Sequence, residues 1–252
     1  MQNKVIVEIA ANSLASALAA QRGGADRVEL CEYLEGGGVT PSFGSIAMAR
    51  AKLNIPVHVL IRPRVGDFTY TEQEVEIMLR DIGACQQLGC DGVVIGALTA
   101  HGEIDVSLCQ ELIKAAAGMR VVFHRAFDCA SDFETAFQSL RDLGVNGLLT
   151  SGQAASAAEG SQQIAQCLAQ TSALEIIAGA GINANNATAL IAATGVAAVH
   201  ASAKELIEST TPLRPIKGLS GQHWQTNETL VRALVEAVNR DFSIGANSIC
   251  SE

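Results

Sequence analysis

The sequence lacks the features that mark membrane, nucleic-acid-binding and disulfide-bonded proteins. No apolar run reaches the ~18 residues that a membrane-spanning helix needs. No run of Lys or Arg offsets the net charge of −9, so we expect no nucleic-acid partner. Charged residues make up 17% of the 252 residues, against roughly 25% in an average domain. Such scarce charge predicts that much of the chain is buried, or that some surface meets another copy.

The cysteines do not have the pattern of a disulfide framework. Their number is odd, they are scattered along the chain, and no two of them form a CxxC pair. The first ten residues, MQNKVIVEIA, enter a strand-like run without the apolar stretch and cleavage site of a secretory signal. We therefore expect reduced thiols in a cytoplasmic protein.

Short β-branched runs alternate with longer helical stretches along most of the chain. Strict alternation of this kind predicts a parallel sheet, either open or closed. An open dinucleotide-binding sheet would carry GxGxxG after its first strand, where this chain reads EIAANSLAS. Eight units in about 200 residues instead predict one α/β domain, a (β/α)8 TIM-like barrel over about residues 3–205 with a C-terminal helical extension over 206–252. The predicted strands cover residues 5–10, 26–31, 57–62, 91–96, 120–125, 147–152, 174–179 and 197–202.

Capping signals punctuate the helices between these strands. Thr71 with Glu74 and Ser131 with Glu134 have the spacing of capping boxes. Gly144 stands where a helix should end before the next strand.

Alternation within each strand predicts which side chains enter the lumen of the barrel. The β-branched face should meet the helices, so the polar residues between should point inward. Buried Glu and His are costly unless paired, and barrel enzymes carry their sites at the C-terminal ends of the strands. Each residue alone is equally explained as a paired core group, but together they predict a shared site. The inward set is Glu8, Arg27, Glu29, Cys31, His58, Arg62, His124, His200 and Ser202. Its candidate catalytic members are Glu8, Glu29, His58 and His124.

Loops at the same end of the barrel add candidates for binding an anion. Arginine suits carboxylates and phosphates because its planar fork matches two oxygens, although pairing with nearby carboxylates is the alternative. The glycine-rich segment after the seventh strand opens a helix whose backbone amides can hold an anion. Residues 35–42, EGGGVTPS, form either a mobile lid or a turn. The predicted substrate-binding residues are Arg62, Arg64, Asp67, Arg125, Asp128, Ser151, Gly179, Gly181, His200 and Ser202.

Eight segments, taken together, resemble the CutC family over about residues 3–205. Two of them, HVLIRPRVGDF and FHRAFD, are long and specific, and AGAGI at 178–182 departs from the PGGGI that is common in the family. The matching segments are VELC (28–31), EGGGVTPS (35–42), HVLIRPRVGDF (58–68), DGVVIGAL (91–98), FHRAFD (123–128), LTSG (149–152), GAGI (179–182) and HAS (200–202).

The resemblance implies a TIM-like barrel, a cytoplasmic location and a homodimer or larger homo-oligomer. It also implies a role in copper homeostasis, with Cu(I) bound at Cys31 of the VELC segment. Cu(I) favours thiolate and thioether ligands, and Cys31 is the cysteine that points into the predicted lumen.

Two functional hypotheses follow. The first is cytoplasmic Cu(I) binding and trafficking through Cys31, with one of the lumen histidines as a helper ligand. The second is an enzyme that acts by Glu/His acid–base chemistry on a small carboxylated or phosphorylated metabolite held by the arginines. In the second hypothesis the same Glu and His side chains can instead hold a divalent metal ion.

Overall fold

Eight parallel strands, β1 to β8, form a closed barrel in chain order. In this computed structural model, which describes residues 4–214, 216 and 221–244, the barrel closes where β8 pairs with β1 and His200 lies opposite Glu8. The predicted (β/α)8 fold is confirmed. The strands are β1 Ile6–Ala11, β2 Arg27–Leu30, β3 Val57–Leu60, β4 Gly92–Ile95, β5 Arg120–Phe123, β6 Gly147–Thr150, β7 Glu175–Ala178 and β8 Ala198–Ala201.

Helices follow the strands and form the outer layer. They are α1 Leu14–Arg22, α2 Phe43–Lys52, α3 Glu72–Gln87, α4 Val106–Ala115, α5 Phe133–Leu143, α6 Ser161–Gln170, α7 Ala187–Thr194 and α8 Glu228–Ile244. Short 3-10 helices cover Leu34–Gly36 and Arg125–Cys129. None of the helices in the described ranges is both long and apolar enough to cross a membrane.

The helix ends show one capping prediction that is right and one that is wrong. Thr71 and Glu74 form a capping box at the start of α3, with both reciprocal hydrogen bonds present. At α5 the N-cap is Asp132, whose side chain accepts from the Thr135 N–H, so the predicted box starting at Ser131 is wrong. Asp is as strong an N-cap as Ser, and the two stand side by side in the sequence.

The chain beyond β8 returns to the barrel. Strands β9 Lys204–Ile207 and β10 His223–Thr226 pair as an antiparallel ribbon. Helix α8 then packs beside α1 and α7. Gly23, at the end of α1, lies so close to α8 that a Cβ there would stand 2.6 Å from Val231. Cys250 lies outside the described residues.

The strand faces follow the predicted alternation. The apolar residues assigned to the helix side belong to the large buried cluster between strands and helices, as Val28 and Phe123 illustrate. A separate, smaller cluster fills the lumen and includes Cys31 and Leu60. The lumen of this barrel is therefore a packed core whose polar residues must find partners there or face a cavity.

Candidate functional site

Two arginines and two glutamates form a paired layer deep in the lumen, which we call the ionic layer: Glu8, Arg27, Arg120 and Glu175. The Nε of Arg27 donates to Oε2 of Glu8, and its Nη2 donates to Oε2 of Glu175 at 2.9 Å. The Nη2 of Arg120 reaches the same Glu175 oxygen at 2.8 Å. Glu8 and Arg27 are buried, whereas the side chains of Glu175 and Arg120 are 24% and 34% exposed. Because the opposite charges are equal in number and hydrogen-bonded, this layer balances its own charge.

Glu8 is held ionised by its partners. Burial pushes the pKa of its carboxyl upward, but Arg27 and the hydrogen bond with His200 outweigh burial and bring that pKa well below the ordinary value of 4.5. The 1% exposed side chain of Glu8 does not itself line the mouth cavity described below, but its Oε1 contacts His200, which does. Glu8 was predicted as a catalytic residue, and in this structure Arg27 and His200 contact its two carboxylate oxygens.

His58 belongs to the same depth. Its Nδ1 lies 3.7 Å from Oε2 of Glu8, and its ring packs against Gly92, where a Cβ would stand 2.6 Å from the imidazole. Burial lowers the pKa of His58, against the attraction of Glu8. His58 is another predicted catalytic residue that lies below the cavity and does not line it.

A cavity of about 450 Å³ opens above the ionic layer, at the C-terminal ends of the strands. We call it the mouth cavity. Its size is that of sites for small metabolites. The predicted residues that line it are Glu29, Arg62, His124, Arg125, Asp128, Gly181, His200 and Ser202.

Glu29 differs from Glu8 in having no full set of partners. Its side chain is buried, and its Oε2 has no hydrogen-bond partner among the described residues. Burial raises the pKa of Glu29 to about 7; the negative charge of Glu8 adds to this, while His200 and Arg27 oppose it. A carboxyl with this environment can change its charge near neutral pH.

His200 links the two glutamates. Its Nδ1 lies 2.7 Å from Oε1 of Glu8, and its ring lines the mouth cavity. Burial lowers the pKa of His200, but the charge of Glu29 and the hydrogen bond with Glu8 outweigh burial and raise it. Ligand atoms of Glu8, Glu29 and His200 all lie within 4.8 Å of one another.

His124 presents one ring nitrogen to the mouth cavity with its tautomer fixed. The backbone N–H of Ala126 donates to Nδ1 at 3.0 Å, so the neutral ring carries its hydrogen on Nε2. That Nε2 is buried and has no partner among the described residues. Burial and the nearby Arg62 charge lower the pKa of His124 to about 3, so the ring stays neutral. The ring fits because β4 is followed by Gly96, where a Cβ would stand 2.4 Å from Nδ1.

Arg62 brings a buried positive charge to the mouth cavity. Its guanidinium donates to the carbonyls of Gly36, Gly38 and Gly66 at 3.1, 3.0 and 2.7 Å. It also lies 4.8 Å over the ring of Phe68. No carboxylate in the described part of the chain forms an ion pair with it. Arg62 thus holds the glycine-rich loop in place and leaves its charge unneutralised.

Arg64 and Asp67 lie away from the cavity. Arg64 pairs with Asp67 at 2.8 Å and also with Glu74 at the start of α3. Neither residue lines the mouth cavity, so the prediction that they bind substrate finds no support in their placement. The physical reason is that a nearby pair of carboxylates neutralises Arg64 before any ligand can.

Arg125 and Asp128 form a pair on the rim. Nε of Arg125 donates to Oδ2 of Asp128 at 2.7 Å, and its Nη2 donates to Ser151 at 3.0 Å. Asp128 also accepts from the backbone N–H groups of Ser151 and Gln153. Ser151 therefore supports this pair from below and does not itself line the cavity.

The two predicted glycines have different roles. Gly181 lines the cavity with φ +74°, and its N–H has no acceptor in the described ranges. Gly179 does not line it; a Cβ there would stand 2.6 Å from Leu149, so this glycine allows β6 and β7 to pack closely.

Cys31 is a poor match for Cu(I) in this structure. It is 1% exposed, lies under Gly38 and does not line the mouth cavity. Burial, with Glu29 adding to it, raises the pKa of the Cys31 thiol, whereas copper is held by the thiolate. Among the described residues, Cys31 joins no group of three His, Cys, Asp or Glu side chains able to share an ion.

Three charged residues of the lumen and its mouth were not predicted from the sequence. Lys204 lines the mouth cavity and stacks 4.6 Å above the ring of Trp224. Arg120 and Glu175 complete the ionic layer. The alternation that turns His124 inward also turns Arg120 inward four residues earlier, so a signal for it was present.

Comparisons with known proteins agree with this architecture. The model of the CutC family matches residues 5–205. A family protein CutC of Xanthomonas axonopodis pv. citri is 46% identical over 237 residues, which cover 93% of this chain and 99% of the relative. One of Pasteurella multocida is 45% identical over 241 residues, again 93% and 99% of the two chains.

Solved structures place the fold among known barrels. A crystal structure described as that of the copper homeostasis protein CutC from Streptococcus agalactiae is 33% identical, with a TM-score of 0.75, over 79% of this chain and 98% of that one. Phosphoribosylanthranilate isomerase from Thermotoga maritima is 15% identical with a TM-score of 0.55, over 93% and 98%. The second likeness concerns the fold alone.

Proposed function

The chain belongs to the CutC family, and from this premise we propose that it is a barrel enzyme that acts on a small carboxylated or phosphorylated metabolite in the mouth cavity. The observation that carries the proposal is that polar side chains of the cavity wall lack hydrogen-bond partners. Six buried side-chain polar atoms have no hydrogen-bond partner in the described part of the chain, and three of them belong to Glu29, Arg62 and His124, which line this one cavity. Such atoms are rare in folded proteins.

The upper wall of the cavity suits an anion. His124 offers a neutral Nε2–H, Arg62 an unneutralised guanidinium, and Gly181 a free backbone N–H. Lys204 adds a further cation at the rim. Buried donors without acceptors favour a ligand that supplies oxygens, because leaving them unsatisfied is costly. Carboxylates and phosphates supply such oxygens, and their negative charge would pair with the guanidinium of Arg62.

The floor supplies reactive groups. Glu29 and His200 line the same cavity, so a bound metabolite meets a carboxyl and an imidazole directly. These two groups most often transfer protons or hold metals in enzymes. This arrangement supports polar chemistry on the bound anion and does not by itself name the metabolite.

A ligand screen tests the proposal. Metal-free protein is screened by thermal shift against carboxylates and phosphates, starting with malonate and inorganic phosphate, and we expect at least one compound to raise Tm by about 2 °C or more. The affinity of that compound, measured by calorimetry, should fall about tenfold or more in His124→Asn. Asn keeps an acceptor for the Ala126 N–H and lacks the Nε2 donor.

A matched pair of arginine variants controls for general charge effects. Arg125→Gln, at the rim, should weaken the same compound, whereas Arg80→Gln should not, because Arg80 pairs with Glu76 on the outer surface of α3. A screen without any stabilising anion, or wild-type affinity in both His124→Asn and Arg125→Gln, would contradict the proposal.

Copper binding is a second candidate function. The relative from Streptococcus agalactiae is described as a copper homeostasis protein, and Cys31 packs in the lumen of this chain. For this second function we propose Cys31 as the Cu(I) ligand, which requires its buried thiol to become accessible and to lose its proton. An anaerobic Cu(I) titration against a competing chelator should then show weaker binding in Cys31→Ser and wild-type binding in Cys109→Ser, a buried cysteine of α4. Equal affinity in both variants would exclude Cys31.

The cytoplasmic location and the homo-oligomer remain predictions that rest on the resemblance to the family. Tyr33 and Phe43 are large apolar residues that are 56% and 60% exposed, which is compatible with contact between copies. Light scattering that finds a monomer at micromolar concentration would contradict the oligomer.

A further inference from the structure

We propose that Glu8, Glu29 and His200 form a binding site for one divalent first-row metal ion, such as Mn²⁺ or Zn²⁺, at the floor of the mouth cavity. This inference deepens the function proposed above and rests on it in one respect: the ion would hold an oxygen of the bound metabolite. The binding of the ion itself can be measured without any metabolite.

The strand register brings the three side chains together. Glu8 lies opposite His200 in the β1–β8 pair, and Glu29 lies opposite Ala10 in the β1–β2 pair. All three point into the lumen from neighbouring strands, and their ligand atoms lie within 4.8 Å of one another. A small shift of side chains brings such atoms to the roughly 2.0–2.2 Å that metal ions of this class need.

Glu29 supplies a second observation, beyond the closeness of the three side chains. It is 6% exposed, and its Oε2 has no hydrogen-bond partner among the described residues. A buried carboxyl oxygen without a partner costs free energy unless a proton or a cation meets it. Glu8 and His200 lie close enough to Glu29 to bind the same cation.

The charges around the cluster leave room for a cation. In the ionic layer, Arg27 and Arg120 balance Glu8 and Glu175, so that layer has no charge to spare for Glu29. A divalent ion would neutralise ionised Glu29 and leave one positive charge beside the cavity. That charge suits the anionic ligand proposed above.

The site is supported from below and open from above. Arg27 holds Oε2 of Glu8, which fixes the direction of the carboxylate, as outer-shell partners do in metal sites. Glu29 and His200 line the mouth cavity, so water or ligand oxygens can complete the coordination. Three protein ligands with open positions are typical of catalytic metal sites.

The ligand types select the class of metal. Two carboxylates and one imidazole suit Mn²⁺, Fe²⁺ or Zn²⁺, whereas Cu(I) prefers the thiolates that this cluster lacks. Nitrogen and oxygen donors bind Cu²⁺ more tightly than the other divalent first-row ions. Copper that binds under air, as Cu²⁺, would therefore report on this cluster and not on Cys31.

Manganese binding tests the site. Full-length protein is stripped with a chelator, and free Mn²⁺ is followed by electron paramagnetic resonance during titration. We expect one ion per chain, with the affinity lowered about tenfold or more in Glu29→Gln and in His200→Gln. Glu35→Gln is the matched control, because Glu35 is exposed on the loop beside the mouth and outside the cluster. Zinc competition for the bound Mn²⁺ places both ions at one site.

The outcomes separate this inference from the proposed function. Absence of any Mn²⁺ or Zn²⁺ binding below about millimolar concentration, or equal affinity in Glu29→Gln and Glu35→Gln, overturns the metal site. If the stripped protein still binds malonate or phosphate in that case, the proposed function stands without the metal. Metal binding that is lost in Glu29→Gln, in a protein that binds no anion, supports the site and contradicts the function.

Discussion

The lower lumen and the mouth of the barrel hold the same kinds of residue, but their pairing differs. Below, Glu8, Arg27, Arg120 and Glu175 share hydrogen bonds, and each charge has an opposite neighbour. At the mouth, Glu29 keeps an unpartnered oxygen and Arg62 has no carboxylate among the described residues. The charged side chains of the ionic layer are thus paired with one another, whereas Glu29 and Arg62 have no ion-pair partner in the described structure, and we propose that this difference marks the functional end of the barrel.

The two glutamates make the comparison sharpest. Both are buried in the lumen on neighbouring strands, yet their pKa values move in opposite directions. Burial raises both, but Arg27 and His200 reverse its effect at Glu8, whereas Glu29 has no bonded cation. Pairs of titratable groups that differ in this way often mark a site where one group reacts and the other positions.

The largest expected effect is on stability and belongs to the ionic layer. Glu8→Gln leaves Arg27 without one of its two bonded carboxylates, so the free energy of unfolding should fall by about 3 kcal/mol. Urea denaturation measures this change, and Glu35→Gln should stay within about 0.5 kcal/mol of wild type. A loss below about 1 kcal/mol in Glu8→Gln would remove the distinction between the two regions.

His124 predicts a pH dependence that comes from the mouth. Its folded pKa of about 3 lies below the ordinary 6.5, so only the unfolded state takes up this proton in between. Its contribution to stability is complete above pH 6.5 and is lost as pH falls, by about 2 kcal/mol at pH 5. The free energy of unfolding, measured by denaturation at several pH values, should change less steeply with pH in His124→Asn than in the wild type. Equal slopes would mean that His124 titrates normally in the folded protein.

Glu29→Gln should change the free energy of unfolding far less than Glu8→Gln does. Glu29 makes no ion pair in the described structure, so its replacement by the neutral amide should change stability by less than about 1 kcal/mol, in either direction. Ligand or Mn²⁺ binding should be lost in the same variant. A destabilisation as large as that of Glu8→Gln would show that Glu29 is a structural residue too.

The smallest stability effect is expected at the rim. Arg125 is 44% exposed at its side chain, so its pair with Asp128 contributes less than about 1 kcal/mol. Arg125→Gln should therefore keep a Tm close to wild type while anion affinity falls. Unchanged anion affinity would limit the binding site to the residues deeper in the mouth.

The architecture could be predicted from the sequence because it depends on local patterns. Alternation within each strand placed Glu8, Glu29 and His200 in the lumen, since their apolar neighbours need the helix layer. The same pattern says nothing about depth, because it carries no register between strands. Glu8 and His58 were therefore expected to line the same pocket as Glu29; Glu8 does lie close to Glu29, but neither Glu8 nor His58 lines the cavity.

Loop residues could not be placed for a different reason. Arg62 and Arg64 stand two residues apart, yet the first bonds to three backbone carbonyls at the mouth and the second pairs with Asp67 and Glu74 outside. Gly36 and Gly38, which hold Arg62, and Glu74, which holds Arg64, come from other segments of the chain, and the loop sequence alone does not show these contacts. Lys204 was missed similarly, because it reaches the cavity from β9, beyond the eight predicted strands.

The most direct test of the difference between the two regions is a carbon-detected NMR titration of the glutamate carboxyls in metal-free protein, with Glu29→Gln used to assign Glu29. We predict that Glu29 titrates at a pH of about 7, while Glu8 stays ionised well below the ordinary 4.5. If the two carboxyls titrate together near the ordinary value, the lower lumen and the mouth are equivalent and the account is wrong.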